Sequence, residues 1–238
     1  MSTELLRVAR LAGGYGDLQV LWDIDLCVQP GEYVAVLGSN GAGKSTLLKT
    51  IAGVLRSMTG SIVFDGTDVT ALKAAARVRQ GISLVPEGKR LFSGLTVKEN
   101  LMMGAFSRTN PTEIQRGFES VLELFPPLRV KLGQIAGTLS GGEQQMCSVG
   151  RALMGKPRLL LVDELSFGLS PMLADRLFST LSKINEEGTT IVLVEQDVVA
   201  ALRYAHRAYV IAGGRIVREG TSEELARDPM IKKSYLGG

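Results

Sequence analysis

Nine residues, Gly38-Ser39-Asn40-Gly41-Ala42-Gly43-Lys44-Ser45-Thr46, have the types and spacing of a phosphate cradle. Backbone N–H groups must turn inward around an anion there, and a side chain at the crowded positions would block its approach. Lys44 would then offer its ammonium to the β- and γ-phosphates of a nucleotide, and Ser45 a hydroxyl to Mg²⁺. A second chemical pair, Asp163-Glu164, closes the apolar run Leu159-Leu160-Leu161-Val162. Mg²⁺ on a nucleotide needs hard oxygen ligands, which an Asp at the end of a buried strand supplies. Glu164 beside it is acidic where a water could line up with the γ-phosphate, as general base or orienter. The alternative is two carboxylates that merely end a strand at the surface.

A third stretch, Leu139-Ser140-Gly141-Gly142-Glu143-Gln144-Gln145, places a hydroxyl and bare backbone amides at the start of a helix, and together these bind an anion. A chain that already holds phosphates from one side has no evident use for a second such site. The use appears if two copies face each other, each lending this helix to the other's nucleotide.

The elements around these residues suit the roles. Residues 33–37 read as a short buried strand before the cradle, and 45–52 as a helix whose N-terminus faces the anion. Residues 5–11 and 20–28 read as strands, with Gly13-Gly14-Tyr15-Gly16 as a loop between them. Tyr15 is then either a core or turn residue or a flat ring for a base to stack on. Residues 60–64 and 82–85 read as further short strands. From 96 to about 155 the pattern turns helical, with Val97, Leu101, Ile114, Phe118, Val121, Leu122 and Phe125 at helical spacing and Pro126-Pro127 ending the helix. A strand at 159–162, a helix at 173–187, a strand at 190–194, a hairpin at 207–219 around Gly213-Gly214 and a short helix after Thr221-Ser222 complete the chain. This is an α/β arrangement with an inserted helical lobe.

The chain has 238 residues, 45% hydrophobic and 21% charged, with a formal net charge of +3. That length builds one large α/β domain, and the mild charge makes no demand for nucleic acid or an anionic membrane as partner. Lys232-Lys233 is the longest basic cluster and reads as a solvated face. Cys27 and Cys147 lie far apart without metal-ligand spacing, so both are expected to pack as small hydrophobes in a reducing compartment. No run of about 18 apolar residues exists to span a membrane. Met1-Ser2-Thr3-Glu4 lacks a signal-peptide pattern, which points to the cytoplasm.

Taken together, these stretches resemble the ABC-type ATPases over essentially the whole chain. Residues 38–46 are similar to that family's Walker A, 159–164 to its Walker B and 139–145 to its signature sequence. The resemblance implies a P-loop NTPase fold with a RecA-like core, an antiparallel β subdomain and a helical lobe. The nucleotide-binding core would comprise residues 1–87 and 156–238, and the lobe about 88–155. It also implies ATP and Mg²⁺ as cofactors, Tyr15 as the adenine-stacking aromatic, and a signature that completes the ATP site of a second subunit. Val85-Pro86-Glu87-Gly88-Lys89-Arg90-Leu91-Phe92, Val194-Glu195-Gln196 and Tyr235-Leu236-Gly237-Gly238 are similar to the ATP-binding subunits of branched-chain amino-acid importers. That likeness implies transmembrane permease subunits as partners, a second ATPase subunit (the same chain or a related one), a substrate-binding protein indirectly, and a place on the inner face of the cell membrane.

Four positions depart from the general family pattern. Glu87 stands where most members carry a Gln that touches Mg²⁺, and Gln196 where most carry a switch His near the γ-phosphate. Gln196 can donate a hydrogen bond but brings no positive charge. Leu165 replaces the usual Pro, and Ser170 the usual Asp. Glu87 and Gln196 match the branched-chain subgroup. The implied site is therefore Lys44, Glu164 and Gln196 for catalysis, with Ser45, Glu87 and Asp163 for the metal. The implied nucleotide contacts are residues 38–46, Tyr15, Ser140, Gly141 and Gly142. His206, the only histidine, falls some ten residues too late for the switch and reads as structural. A second reading, a regulatory nucleotide-binding module with little hydrolysis, stays open because the switch His and the usual Gln are both replaced.

Overall fold

Residues 4–231 are described by a computed structural model, so the Lys232-Lys233 pair and the ending at 235–238 lie outside the described residues. A six-stranded sheet carries the site. Its strands are β3 (Tyr33–Leu37), β6 (Ile82–Val85), β7 (Leu159–Asp163), β8 (Thr190–Glu195), β9 (Arg207–Ala212) and β10 (Arg215–Thr221). The order is β10-β9-β3-β8-β7-β6, parallel except for the β9–β10 hairpin. A four-stranded antiparallel sheet, ordered β2-β1-β4-β5, is built from β1 (Leu6–Tyr15), β2 (Leu18–Val28), β4 (Ser57–Phe64) and β5 (Thr67–Asp68).

The inner strands β3, β7 and β8 are buried along their whole length because both faces of the sheet are covered there, whereas the edge strand β10 is largely exposed. Side chains alternate across a strand, so Tyr33, Ala35 and Leu37 of β3 enter one core while Val34 and Val36 enter the other. The second core lies between the two sheets and encloses α1 (Lys44–Ile51) through Leu47, Leu48 and Ile51. The first core is roofed by α3 (Val97–Met103), α4 (Pro111–Leu124), α5 (Pro126–Arg129), α6 (Gly141–Leu153), α7 (Pro171–Glu186) and α8 (Val198–Tyr204). The short helix α9 (Ser222–Arg227) adds Leu225 to the same core, whereas α2 (Ala74–Gln80) contributes no buried apolar residue to it.

Three local expectations are revised. Gly13 and Gly14 do not form a loop: β1 runs through both to Tyr15, with register shifts against β2 and a turn at Gly16-Asp17. Glycine is what permits this, since a Cβ on Gly14 would stand 1.9 Å from the Leu18 carbonyl oxygen. Pro126-Pro127 follow the end of α4 but also open α5, because a proline needs no N–H at the first helical positions. The strand expected at 60–64 begins at Ser57.

Both cysteines are free. Cys147 is buried in the first core, where burial pushes its thiol up to about 11. Cys27 is only half-buried, 3.8 Å from the Tyr209 hydroxyl, and so is not simply a packed hydrophobe.

Candidate nucleotide site

Strand β3 delivers the chain into the cradle under close constraint. A Cβ on Gly38 would meet the Ile211 carbonyl oxygen at 2.3 Å, so no side chain fits there. Gly43 caps α1 at φ +108°, a backbone region glycine tolerates, and contributes no side-chain acceptor. The first turn of α1 carries no acid either, which leaves its N–H groups and the positive end of the helix dipole facing outward. The local sequence thus builds an anion seat at the head of an eight-residue helix.

Lys44 is 4% exposed. Its ammonium donates to the Gly38 and Ser39 carbonyls at 2.9 and 3.2 Å and lies 3.7 Å from Glu164 Oε1. Ser45 Oγ donates to Asp163 Oδ1 at 2.8 Å, and the Thr46 and Tyr15 hydroxyls are 3.5 Å apart. A cleft of about 300 Å³ opens over these groups, lined by Tyr15, Asn40, Gly41, Gly43, Lys44, Ser45, Thr46 and Glu164 among others. Tyr15 is half exposed, presenting an open ring at the cleft's edge.

The acidic pair is not a surface strand end. Asp163 is fully buried, and its Oδ2 has no hydrogen-bond partner. Burial pushes its carboxyl above the usual range, Ser45, Lys49 and Lys44 pull it back, and Glu87 adds to the rise. Burial also raises Glu164, opposed by Lys44 and reinforced by Glu87 and Asp163. An orphaned, buried carboxylate oxygen beside a serine hydroxyl fits a small hard cation. Among the described residues no group of three or more His, Cys, Asp or Glu could hold a metal unaided. Mg²⁺ would therefore draw further oxygens from phosphate and water, as it commonly does.

Glu195 was not singled out from sequence, yet it organises the next loop. It is 1% exposed and accepts from the Ser166 N–H and hydroxyl, both at 2.9 Å, and from the Gln196 N–H at 3.2 Å. The available signal was an acid ending an apolar strand, as Asp163 does. Gln196, exposed, follows it. Leu165, unexplained by sequence, is buried in the first core at 1% exposure, so an apolar side chain suits the position. Ser170 caps α7 without a side-chain hydrogen bond, and nothing in the structure explains its replacing an acid. His206 is structural: its Nδ1 accepts from the Tyr33 N–H at 3.2 Å, and its own N–H donates to the Tyr33 carbonyl at 2.8 Å.

The start of α6 lies apart from the cradle, since Ser140, Gly141 and Gly142 do not line that cleft. Ser140 and Glu143 form a capping box: Ser140 Oγ accepts from the Glu143 N–H, and the Glu143 carboxylate accepts from the Ser140 N–H. The Ser140 hydroxyl proton stays available to an anion. The two glycines differ. A Cβ on Gly142 would strike Leu173 Cδ2 at 2.0 Å, so Gly142 serves packing against α7, whereas a Cβ on Gly141 would meet only Lys89 Nζ, at 3.1 Å.

Between β6 and α3 the chain makes an unusual turn. Gly88, Lys89 and Arg90 are consecutively left-handed, with φ of +74°, +67° and +37°. For the two non-glycine residues this conformation costs roughly 1–2 kcal/mol each. The turn is clamped by Arg151, which donates to the Arg90 carbonyl at 2.9 Å and lies 5.3 Å over the Phe92 ring. Buried Asn100 bonds both the N–H and the carbonyl of Phe92. Arg90, Phe92, Met103 and Phe106 line a mainly apolar groove of about 680 Å³ that also reaches Tyr15.

A phosphate cradle, a buried carboxylate at the end of an adjacent parallel strand and a separate glycine-opened helix share this chain with a family model described as "ABC transporter", which matches residues 21–166. The chain belongs to the ABC transporter family. It is 46% identical to the high-affinity branched-chain amino acid transport ATP-binding protein BraG of Pseudomonas aeruginosa, over 98% of this chain and all of that one. It is 37% identical to the probable branched-chain amino acid transport ATP-binding protein LivF of Archaeoglobus fulgidus, over 98% of this chain and 99% of that one. Among solved structures, the ADP conformation of the ABC transporter cassette MJ1267 superposes with a TM-score of 0.84 at 27% identity, covering both chains completely. The dimeric bacterial cassette MJ0796 gives 0.81 at 25% identity, over 91% of this chain and 98% of that one.

The fold expected from the resemblance, a P-loop ABC ATPase with one antiparallel and one mainly parallel sheet, is the one observed. As a family member the chain is an ABC-type ATPase. The alternative of a regulatory module with little hydrolysis gains no support. Among the described residues no helix is long and apolar enough to cross a membrane.

Proposed function

We propose that this ATPase powers a membrane importer of branched-chain or other hydrophobic amino acids, seated on the inner face of the membrane against permease subunits. The choice of solute class rests on the near full-length likeness to BraG. The hydrolytic role rests on one juxtaposition: Ser45 bonded to buried Asp163, beside Lys44 and Glu164 at the head of α1.

In this reading the phosphates of ATP lie on residues 38–46, with Lys44 turning an N–H from the Gly38 and Ser39 carbonyls toward the β- and γ-oxygens. Tyr15 stacks on the adenine. Ser45 and Asp163 would hold Mg²⁺, with Glu87 near enough to influence both Asp163 and Glu164. A metal ion held there would supply positive charge to offset that of the phosphates. Glu164, its basicity raised by burial, orients the attacking water and accepts its proton, while Gln196 donates a hydrogen bond near the γ-phosphate. The head of α6 from a second ATPase subunit, identical or related, closes the site. The apolar groove at Phe92, Met103 and Phe106 receives the permease, and the lobe at about 88–155 moves against the core as the pair opens and closes.

The test is uptake of radiolabelled leucine by vesicles carrying this chain with its permease and binding protein. ATP-dependent uptake, abolished by Glu164→Gln, is the expected result. Steady ATP hydrolysis with no uptake of any hydrophobic amino acid would overturn the solute class.

A further inference from the structure

The turn at residues 88–90 sets Lys89 beside the head of α6, and Lys89 does not line the cleft over its own P-loop. Glu87 faces Asp163 and Glu164, whose carboxyls it pushes up, yet two residues later the Lys89 ammonium lies against Gly141. This places a cation beside the head of a thirteen-residue helix that is itself positive. Among the described residues Lys89 has no carboxylate partner. The one acid in the first turn of α6, Glu143, is already held by Lys131 at 2.8 Å and by the Ser140 N–H at 3.1 Å. Two positive ends meet there with no carboxylate among the described residues paired to Lys89, and the backbone is strained into that arrangement and clamped by Arg151 and Asn100.

The geometry points to Lys89 as a charge donated in trans: across the paired subunits it joins the head of α6 against the γ-phosphate bound on the other subunit's P-loop. The inference rests on the shared-site reading above and adds a residue to it. It also offsets part of a charge deficit in the composite site. Gln196 brings no positive charge where most members carry a histidine, and Glu87 adds a negative one. A lysine from across the interface makes up one of these two charges. The 87–90 turn would then touch both nucleotides, Glu87 its own and Lys89 the other.

The experiment uses the full chain in a Glu164→Gln background, so that ATP is bound without turnover. ATP-driven self-association is measured by analytical ultracentrifugation, and ATP affinity by a fluorescent analogue at protein concentrations too low for pairing. Lys89→Met is expected to weaken association about tenfold, the loss of one charge-assisted phosphate contact. Its ATP affinity as a lone protomer should be unchanged, the salt dependence of association should become shallower, and Lys89→Arg should restore pairing. Lys89→Gln, which keeps a polar head, provides a second neutral variant should the Met variant fold poorly. Unaltered association, or weaker ATP binding by the dilute protomer, would overturn the assignment of Lys89 while leaving the shared site standing. Failure of the Glu164→Gln parent to pair with ATP present would instead remove the shared site, and the Lys89 assignment with it.

Discussion

Asp163→Asn isolates the feature on which the metal site depends. Asp163 is fully buried, its Oδ1 satisfied by Ser45 and its Oδ2 by nothing. Burial is the largest influence on the carboxyl and raises it from its ordinary 3.8, against the pull of Ser45, Lys49 and Lys44. For a group so raised, the stability it contributes is fully present below the unfolded value and is lost as pH rises through the folded value. Without nucleotide, ionising the side chain as pH rises therefore burdens the fold. Asparagine keeps the acceptor for Ser45 and removes the charge. An unsatisfied buried polar group costs about 1–3 kcal/mol, more when charged; the Nδ2 amide inherits the unpartnered place of Oδ2, so only the excess due to the charge is recovered, about 1 kcal/mol. At about 2–4 °C per kcal/mol for a chain of this size, the melting temperature should rise by about 2–4 °C. Scanning calorimetry from pH 8 down to pH 4 would show the variant above the wild type at the alkaline end and the two converging as the acid protonates. With Mg²⁺ and ATP at about 100 times the dissociation constant, the wild type gains about 2.7 kcal/mol that the variant forgoes, and their order reverses. A variant less stable than wild type at the alkaline end without nucleotide, or a gap that ignores pH, would refute the reasoning.

The remaining predictions concern the frame around the site. Arg77, 1% exposed, donates to the Leu72, Thr50, Ile51 and Thr70 carbonyls and so ties the end of α1 to the loop between β5 and α2. Arg77→Met should cost about 3 kcal/mol by orphaning them, a fall of about 6–12 °C; a shift under 2 °C would show that water replaces the side chain. Lys44→Ala should reduce ATP affinity at least tenfold, on the order of one charged hydrogen bond, and isothermal titration at wild-type affinity would contradict it. Ser140→Arg should leave the affinity of the dilute protomer for ATP within about twofold while stopping turnover, since Ser140 lies outside the P-loop cleft. Undiminished phosphate release from that variant would count against a site completed by another subunit.

What the sequence disclosed is what short-range physics dictates. The P-loop, the strand ending in Asp163 and the helix start at Ser140 are each fixed by neighbours within a few residues, and each lies where its local pattern places it. Features that need the chain to close on itself stayed hidden. Gly14 looked like a turn because the Leu18 carbonyl that excludes a side chain belongs to the next strand. Nothing local to Arg77 marks it as buried, because its acceptors lie on the α1 end and the loops before α2. Leu165 made no sense until the core it fills was visible. Glu195 and Ser166 are 29 residues apart, and no local pattern joins them. The same holds for Lys89 and Gly141, whose approach depends on a left-handed turn that non-glycine residues rarely adopt.

The central claim is that each ATP is enclosed by two subunits, one giving the P-loop and the other the head of α6. The most direct measurement is the specific ATPase rate as the protein is diluted at saturating Mg²⁺ and ATP. The rate per chain should fall steeply below the pairing concentration and recover when a Lys44→Ala copy, which lends α6 but holds no ATP, is added in excess. A rate per chain that stays constant on dilution and ignores that copy would contradict the account.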